Sequence, residues 1–151
     1  MATRQYTTRR TQIVAAFVKL LKNINGAGDY RTDLAGHVYG TLRFWDEIDE
    51  FPEININSGS ETRSYEAGGF KWRFLSITFR VYVRNQDDPQ GELALVLEDL
   101  ETILEDNDGL SYEDSDGSQK TISDIEIISI STDEGALTPL GVGELIAEIR
   151  Y

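Results

Sequence analysis

The sequence contains no cysteine and a single histidine, His37, and these absences narrow the chemistry open to the chain. Without cysteine there is no disulfide framework and no metal site built from thiolates. No apolar run approaches the ~20 residues that a membrane-spanning helix needs. The first twelve residues are rich in Thr, Gln and Arg and lack the apolar core of a signal peptide. We therefore expect a protein that folds in a cytoplasm and holds no metal or cofactor.

Positive charge is also scarce, because 14 Lys and Arg residues face 27 Asp and Glu residues, a net charge of −13. A nucleic-acid-binding surface needs clustered Lys and Arg to contact phosphates, so this composition argues against one over most of the molecule. The chain is 40% hydrophobic and includes 2 Trp, 7 Tyr and 6 Phe, which is typical of a folded protein. Its 151 residues fit one domain, 1–151, with a single hydrophobic core.

The acidic charge is segregated along the chain. Residues 1–28 carry five Lys and Arg and no carboxylate, whereas residues 85–118 carry twelve Asp and Glu and no Lys or Arg. A chain with a positive end and a negative middle can attract copies of itself head to tail. No cluster of residues gives comparable support for catalysis, so we predict that the protein is not an enzyme.

Two amphipathic helices are predicted. The first is capped by Thr7 or Thr8 and runs to about Asn23, where Gly26 and Gly28 follow. Its apolar residues recur at three- and four-residue steps: Ile13, Val14, Phe17, Leu20, Leu21 and Ile24.

The second helix has the clearer boundaries. Asp88 caps it, Pro89 takes the first helical position, and Gly109 follows its end. Its apolar stripe consists of Leu93, Val96, Leu97, Leu100, Ile103 and Leu104. The acidic residues 106–118 that follow form a loop or a hairpin.

Several strands are expected between and after the helices. A strand follows Gly36, and another occupies 51–57 with Pro52 at its start. Ser58-Gly59-Ser60 predicts a turn, after which 62–67 pairs back. Further strands are expected at 70–83, at about 121–132 and at 143–151.

Two of these strands change the phase of their alternation. Apolar residues lie at even positions from Phe70 to Phe74 and at odd positions from Leu75 onward. Because side chains alternate with period two, this indicates either a β-bulge near Phe74 or a first half that buries a different face. The same change follows Ile127. The order of elements predicts an α+β domain with a mostly antiparallel, twisted sheet and two helices packed on one face.

Three candidate chemical sites carry little weight. His37 with nearby Asp33 could act as a general base, but a lone His beside glycines is more often a packing residue. The loops Asp106-Asn107-Asp108-Gly109 and Asp114-Ser115-Asp116-Gly117 do not place ligands at the spacing of an EF-hand. A weak cation site stays open there, and a solvated acidic loop is the alternative.

The charges at the helix ends are opposite to those that the helix dipoles favour. Arg9 and Arg10 lie in the first turn of the first helix, and Glu105, Asp106 and Asp108 lie at the end of the second. Each such exposed charge costs about 0.3–1 kcal/mol. Either chance and solubility explain this placement, or one helix end meets the other across a subunit boundary.

The order of motifs resembles the bacteriophage tail terminator proteins, also called tail completion or minor tail protein U-like proteins. The motifs are an N-terminal amphipathic helix, Phe-Pro-Glu-Ile-Asn-Ile (51–56), an alternating strand between Arg73 and Arg84, Leu-Glu-Asp-Leu-Glu-Thr-Ile-Leu (97–104) and Leu-Ile-Ala-Glu-Ile-Arg-Tyr (145–151). The resemblance covers nearly the whole chain in layout.

This resemblance implies a structural virion protein of the tail or neck, assembled in the host cytoplasm. Such proteins form a ring, usually of six subunits, that caps the tail tube, stops its polymerisation and joins the tail to the head connector. The expected partners are further copies of the chain, the tube protein and connector or neck proteins, while genomic DNA passes through the lumen without specific binding. The alternatives are another tail or neck component (a tube, baseplate or head–tail adaptor subunit) and a small enzyme or ligand-binding module.

The predicted interface residues are Arg9, Arg10, Trp72, Arg73, Glu105, Asp106 and Asp108. We expect part of 98–116 to face the pore or the subunit boundary, where an acidic lumen would repel DNA phosphates.

Overall fold

The structure, a computed structural model, describes residues 7–151. The first helix, α1 (Arg9–Leu21), begins after Thr8, whose hydroxyl accepts a hydrogen bond from the Thr11 backbone N–H. The Thr11 hydroxyl bonds the Thr8 backbone N–H in return, which completes a capping box. The second helix, α2 (Pro89–Glu105), follows Asp88, whose carboxylate accepts from the Gly91 N–H. Both predicted caps are confirmed.

Within residues 7–151, seven strands form two sheets. Their bounds are β1 (Val38–Tyr39), β2 (Glu53–Tyr65), β3 (Lys71–Arg84), β4 (Ser111–Glu113), β5 (Gln119–Thr121), β6 (Asp124–Thr132) and β7 (Leu140–Arg150). The main sheet has the order β1-β2-β3-β7-β6 and is antiparallel except for the short parallel pair β1–β2. Strands β4 and β5 form a separate hairpin, which confirms the hairpin alternative for the acidic segment 106–118. The α+β class with a mostly antiparallel sheet is confirmed.

A single core lies between the helices and one face of the main sheet. Phe17 of α1 meets Phe79 of β3 edge to face, with 5.5 Å between ring centroids. The α2 stripe packs on β3 and β7, where Gly143 allows close approach, since a Cβ there would lie 3.1 Å from Leu93 Cδ1. Both helices therefore cover the same face of the sheet, as predicted. Within residues 7–151, neither helix is long and apolar enough to cross a membrane.

The predicted turn at 58–60 is wrong. Strand β2 continues through this segment with a register irregularity between Ser58 and Glu61, and it pairs with β3 as far as Tyr65. The turn lies instead between Tyr65 and Lys71, where Gly68 and Gly69 have φ values of 84° and 82°. Two adjacent glycines that adopt positive φ make the tighter reversal, so the Ser-Gly-Ser segment remains extended.

The two changes of phase have different causes. Strand β3 pairs with β7 without interruption from Phe74 to Arg84, so its first half presents Trp72 and Phe74 on the open face of the sheet rather than forming a bulge. In β6, a register irregularity between Ile127 and Ser129 accounts for the second change.

Candidate assembly surfaces

Charge is distributed unevenly between the two ends of the main sheet. At the end where β3 begins and β7 stops lie seven of the chain's cations: Arg9, Arg10, Arg63, Lys71, Arg73, Lys120 and Arg150. Six carboxylate side chains accompany them: Glu61, Glu66, Glu113, Asp114, Asp116 and Asp124. We call this the cation-rich end. At the other end, in the part of the chain that the structure describes, ten carboxylates outnumber the cations Arg31, Arg43 and Arg84: Asp46, Glu47, Asp49, Glu50, Glu53, Asp87, Asp88, Glu92, Asp133 and Glu134. We call this the acidic end.

Arg9 forms an ion pair within the chain. Its Nε lies 3.3 Å from Asp114 Oδ1, and Lys120 Nζ lies 3.0 Å from the other carboxylate oxygen. The Asp114 side chain is buried, and the Ser115 backbone N–H also donates to it at 2.7 Å. This cluster fastens the β4–β5 hairpin to the start of α1. The arginine that is unfavourable for the helix dipole thus has a partner 105 residues away.

The Asp114 cluster makes the stability of the hairpin depend on pH. The Lys120 ammonium, the Ser115 N–H and the Arg9 guanidinium hold the pKa of Asp114 well below its usual range. The resulting stabilisation is complete above about pH 4, near the pKa of Asp in an unfolded chain, and decreases as the pH falls towards the lower folded-state pKa. We expect Asp114→Asn to unfold at a lower temperature than the natural protein at pH 7, with a gap that narrows below pH 4. Thermal unfolding by circular dichroism from pH 7 to pH 2.5 measures this gap; an equal gap at pH 3 and pH 7 would rule out the linkage.

The other predicted cation-side residues also lie at the cation-rich end. The Arg10 guanidinium donates to the Gly59 carbonyl, and Arg73 stacks over the ring of Tyr151 at 5.7 Å. The Tyr151 hydroxyl donates to Glu61. Burial is the main cause that raises the pKa of Tyr151 above its usual range, and the contact with Glu61 raises it further. Arg73 and Tyr151 therefore hold the end of the chain against the start of β3.

Trp72 lies on the opposite face of the sheet from Arg73. The Arg150 guanidinium stacks over its ring at 4.7 Å, and Phe70 meets it edge to face at 4.8 Å. The structure thus brings Arg9, Arg10, Trp72 and Arg73 to one end of the molecule, with Trp72 on the open face.

The three predicted acidic residues lie elsewhere. Glu105, Asp106 and Asp108 are exposed at the end of α2, and none of them has an ion-pair partner within residues 7–151. Asp106 shares a groove with Lys19, near the end of α1. Lys19 follows Arg9 by ten residues of α1, so about 15 Å along the helix axis separates this point from the cations at the start of α1. The two unfavourable helix ends therefore do not neutralise each other within one chain.

Asp99 belongs to the acidic run but does not lie on the surface. Its carboxylate accepts hydrogen bonds from the Thr32 N–H at 2.7 Å, the Thr32 hydroxyl at 2.6 Å and the Arg31 N–H at 3.0 Å. The side chain is buried, so it anchors the 25–36 loop to α2. Sequence alone grouped Asp99 with the surface charges, because nothing in the local pattern distinguishes it from Glu98.

A further surface feature is the segment 42–50, where the expected strand after Gly36 does not extend, because β1 ends at Tyr39. It forms a loop with a short 3₁₀ turn at Trp45–Glu47, folded over the open face at the acidic end. Leu42, Phe44 and Trp45 point to solvent with exposed fractions of 44%, 60% and 57%. We call this segment the aromatic loop.

Arg43 holds the aromatic loop in place. Its Nη1 lies 3.3 Å from the buried Glu53 carboxylate, its Nη2 donates to the Glu47 carbonyl at 2.8 Å, and it stacks over Tyr39. Its backbone N–H donates to Asn55 at 2.6 Å, and its carbonyl accepts from the Tyr82 hydroxyl at 2.8 Å. The charge faces inward while its apolar neighbours face outward, so the exposed aromatics sit on a fixed backbone.

The candidates for catalysis and metal binding are not brought together. His37 Nε2 lies 2.6 Å from Glu50, whereas the Asp33 carboxylate accepts from the Ala35 N–H. In the described part of the chain, no three His, Asp or Glu side chains are grouped so that they could hold a metal ion. In the second acidic loop, Asp114 is neutralised by two cations, and Asp116 accepts from both the N–H and the hydroxyl of Ser118.

Comparison with known proteins identifies the family. A family profile described as Bacteriophage Tail Tube Terminator Protein matches residues 7–151. The chain is also 33% identical over 149 residues to the tail tube terminator protein p142 of Escherichia phage T5, covering 94% of this chain and 92% of that protein. The match extends over both helices and all seven strands. The chain belongs to the bacteriophage tail tube terminator proteins, which are components of the phage tail.

Proposed function

We propose that copies of this tail tube terminator close into a ring of six that caps the completed tail tube, ends its polymerisation and joins the tail to the head connector. The number six follows the resemblance to tail completion proteins. Assembly would take place in the host cytoplasm, and genomic DNA would pass through the lumen. On this proposal the molecule works by shape and complementarity and catalyses no reaction.

The observation that carries the proposal is the charge polarity of the sheet. A head-to-tail contact needs two different, complementary surfaces on each subunit, and it closes into a ring when the rotation between neighbours allows. The cation-rich end and the acidic surfaces lie on separate parts of one rigid domain. Such surfaces attract each other between copies and cannot meet within one copy.

The exposed carboxylates at the end of α2 can serve in either of two places in such a ring. At the subunit boundary, Glu105, Asp106 and Asp108 would meet Arg10 of a neighbour, as the helix-end charges suggest. In the lumen, they would repel DNA phosphates and allow the genome to slide. Asp99 and Asp114 have structural roles and are not part of this surface.

If the carboxylates at the end of α2 lie at the subunit boundary, reversing the charge of their partner should change the mass of the oligomer. Reversing the charge of Arg10 (Arg10→Glu) should weaken the ring, and Glu105→Lys with Asp106→Lys and Asp108→Lys in the same chain should restore it. Arg9 is unsuitable as a target, because its replacement removes the contact that holds the hairpin. Light scattering coupled to size exclusion measures the mass at low and high salt. An unchanged mass for Arg10→Glu at low salt would place the α2 carboxylates away from the boundary.

The second candidate is another tail or neck component, such as a tube subunit. The two functions differ in what the purified protein does with tube subunits. A terminator halts tube growth at low molar ratio, so we expect the mean tube length in negative-stain micrographs to fall as the protein is added. Purified protein that polymerises into tubes by itself would instead identify a tube subunit.

A further inference from the structure

The hairpin that joins β2 to β3 extends beyond the rest of the main sheet. Strand β7 ends opposite Phe74, and in the described part of the chain only the Arg73–Tyr151 backbone pair lies beyond that point. Residues 62–72, which we call the arm, therefore have no third strand beside them within residues 7–151. A two-stranded hairpin with no further cover is marginal in water.

The arm nevertheless exposes large aromatic side chains. Tyr65 and Phe70 have exposed fractions of 72% and 52%, and Trp72 lies beside Phe70. Scattered apolar residues are common on protein surfaces, but a cluster of aromatics on a projecting element is typical of a contact with another molecule.

The aromatic loop has the same composition at the opposite end of the sheet. Its Leu42, Phe44 and Trp45 are exposed, and the Arg43 contacts fix their positions. Such pre-ordered aromatics lose little conformational entropy when a partner covers them. Tyr82, beneath the aromatic loop, and Trp72, in the arm, are ten residues apart on β3, which is about 33 Å. The two aromatic surfaces therefore cannot cover each other within one chain.

Their charges are complementary. The aromatic loop carries four carboxylates, Asp46, Glu47, Asp49 and Glu50, while its one cation, Arg43, is turned inward. The arm carries Arg63 and Lys71 against a single carboxylate, Glu66. It adjoins Arg73 at one end and Glu61, which pairs with Arg63 at 3.1 Å, at the other, so the cations remain in excess. Like charges would repel two loops or two arms, so the favourable pairing joins a loop to an arm.

We propose that the arm of one subunit packs against the aromatic loop of the next, and that this contact is the apolar centre of the subunit boundary. This inference rests on the ring proposed above and adds the residues that close it. The occupant of each surface is a second copy of the same chain. Each copy uses both surfaces, so the contact is heterologous and propagates until the ring closes.

Two matched variants test the contact. Phe44→Ser with Trp45→Ser removes the loop anchors, and Tyr65→Ser with Phe70→Ser removes the arm anchors; all four side chains are exposed in one subunit. We expect each variant alone to be a folded monomer. When the two are mixed in equal amounts, the intact arm of the first meets the intact loop of the second. The mixture should form a 1:1 heterodimer that cannot grow, which native mass spectrometry resolves by the mass difference.

The control variant is Ile128→Ser with Leu137→Ser, which removes two exposed apolar side chains outside both surfaces. It should keep the mass of the natural oligomer. If both aromatic variants also keep that mass, the inference is overturned while the ring stands. If the loop variant keeps the ring but no longer halts tube growth, the loop binds the tube protein instead, which equally overturns it. A natural protein that is monomeric alone and on tube ends would refute the ring itself.

Discussion

Replacing Arg43 with alanine is expected to destabilise the protein by about 3 kcal/mol, because it breaks a largely buried ion pair. Glu53, whose side chain is 3% exposed, would keep only the Asn55 amide as a side-chain partner at 2.9 Å. The Glu47 carbonyl at the end of the 3₁₀ turn would also lose its donor. Chemical denaturation in urea measures the free energy of unfolding, and size exclusion of the same sample measures the oligomer mass.

The second expected result of Arg43→Ala is a weaker oligomer at concentrations where the monomer is still folded. Without the Arg43 contacts the aromatic loop is no longer fixed, so covering it costs more conformational entropy. Arg84→Ala is the control, since Arg84 is an exposed cation at the same end and its loss should change stability by less than about 0.5 kcal/mol. Equal unfolding free energies for the two variants would contradict the assigned role of Arg43.

Asp99→Ala should cost about 2–4 kcal/mol, since hydrogen bonds to a charged group contribute about 1.5–3 kcal/mol each and their loss leaves partly buried donors without partners. The affected donors are the backbone N–H groups of Arg31 and Thr32 and the Thr32 hydroxyl. For a chain of about 150 residues this corresponds to a fall in unfolding temperature of roughly 5–12 °C. Differential scanning calorimetry provides the measurement.

The neighbouring Glu98 provides the control for Asp99. Glu98 is exposed and pairs with Arg31 at 3.3 Å on the surface, so Glu98→Ala should alter the unfolding temperature by no more than about 2 °C. Hydrogen exchange should show faster exchange at the Arg31 and Thr32 amides in Asp99→Ala alone. Unchanged protection at both amides would show that Asp99 does not anchor the loop.

The sequence predicted the parts of the fold that follow from local patterns. The capping residues Thr8 and Asp88 and the apolar stripes at helical spacing predicted both helices, because these signals depend on residues within one turn. The turn at 58–60 was predicted wrongly, since a Ser-Gly-Ser segment fits a turn and a bulged strand equally well. Only pairing with β3 over its whole length decides between them.

The candidate surfaces were predicted only in part. Arg9, Arg10, Trp72 and Arg73 lie at one end of the molecule, and their role at an interface stays a prediction. The separation of charge along the sequence did not identify the acidic end, because only Asp87, Asp88 and Glu92 of its ten carboxylates belong to residues 85–118. The sequence did not predict that Arg9 forms an ion pair with Asp114, because Asp114 lies 105 residues away along the chain. The aromatic loop was missed because the even spacing of Leu42 and Phe44 indicated a strand after Gly36, whereas that strand ends at Tyr39. The exposure of Leu42, Phe44 and Trp45 depends on the inward turn of Arg43.

The central claim is that neighbouring copies join through unlike surfaces and form a closed ring. Native mass spectrometry of the purified protein over a wide range of concentrations tests this claim most directly. The expected result is one closed species whose subunit number does not increase with concentration, six by resemblance to tail completion proteins. A monomer at every concentration, or a ladder of masses that lengthens as the protein is concentrated, would contradict a closed ring.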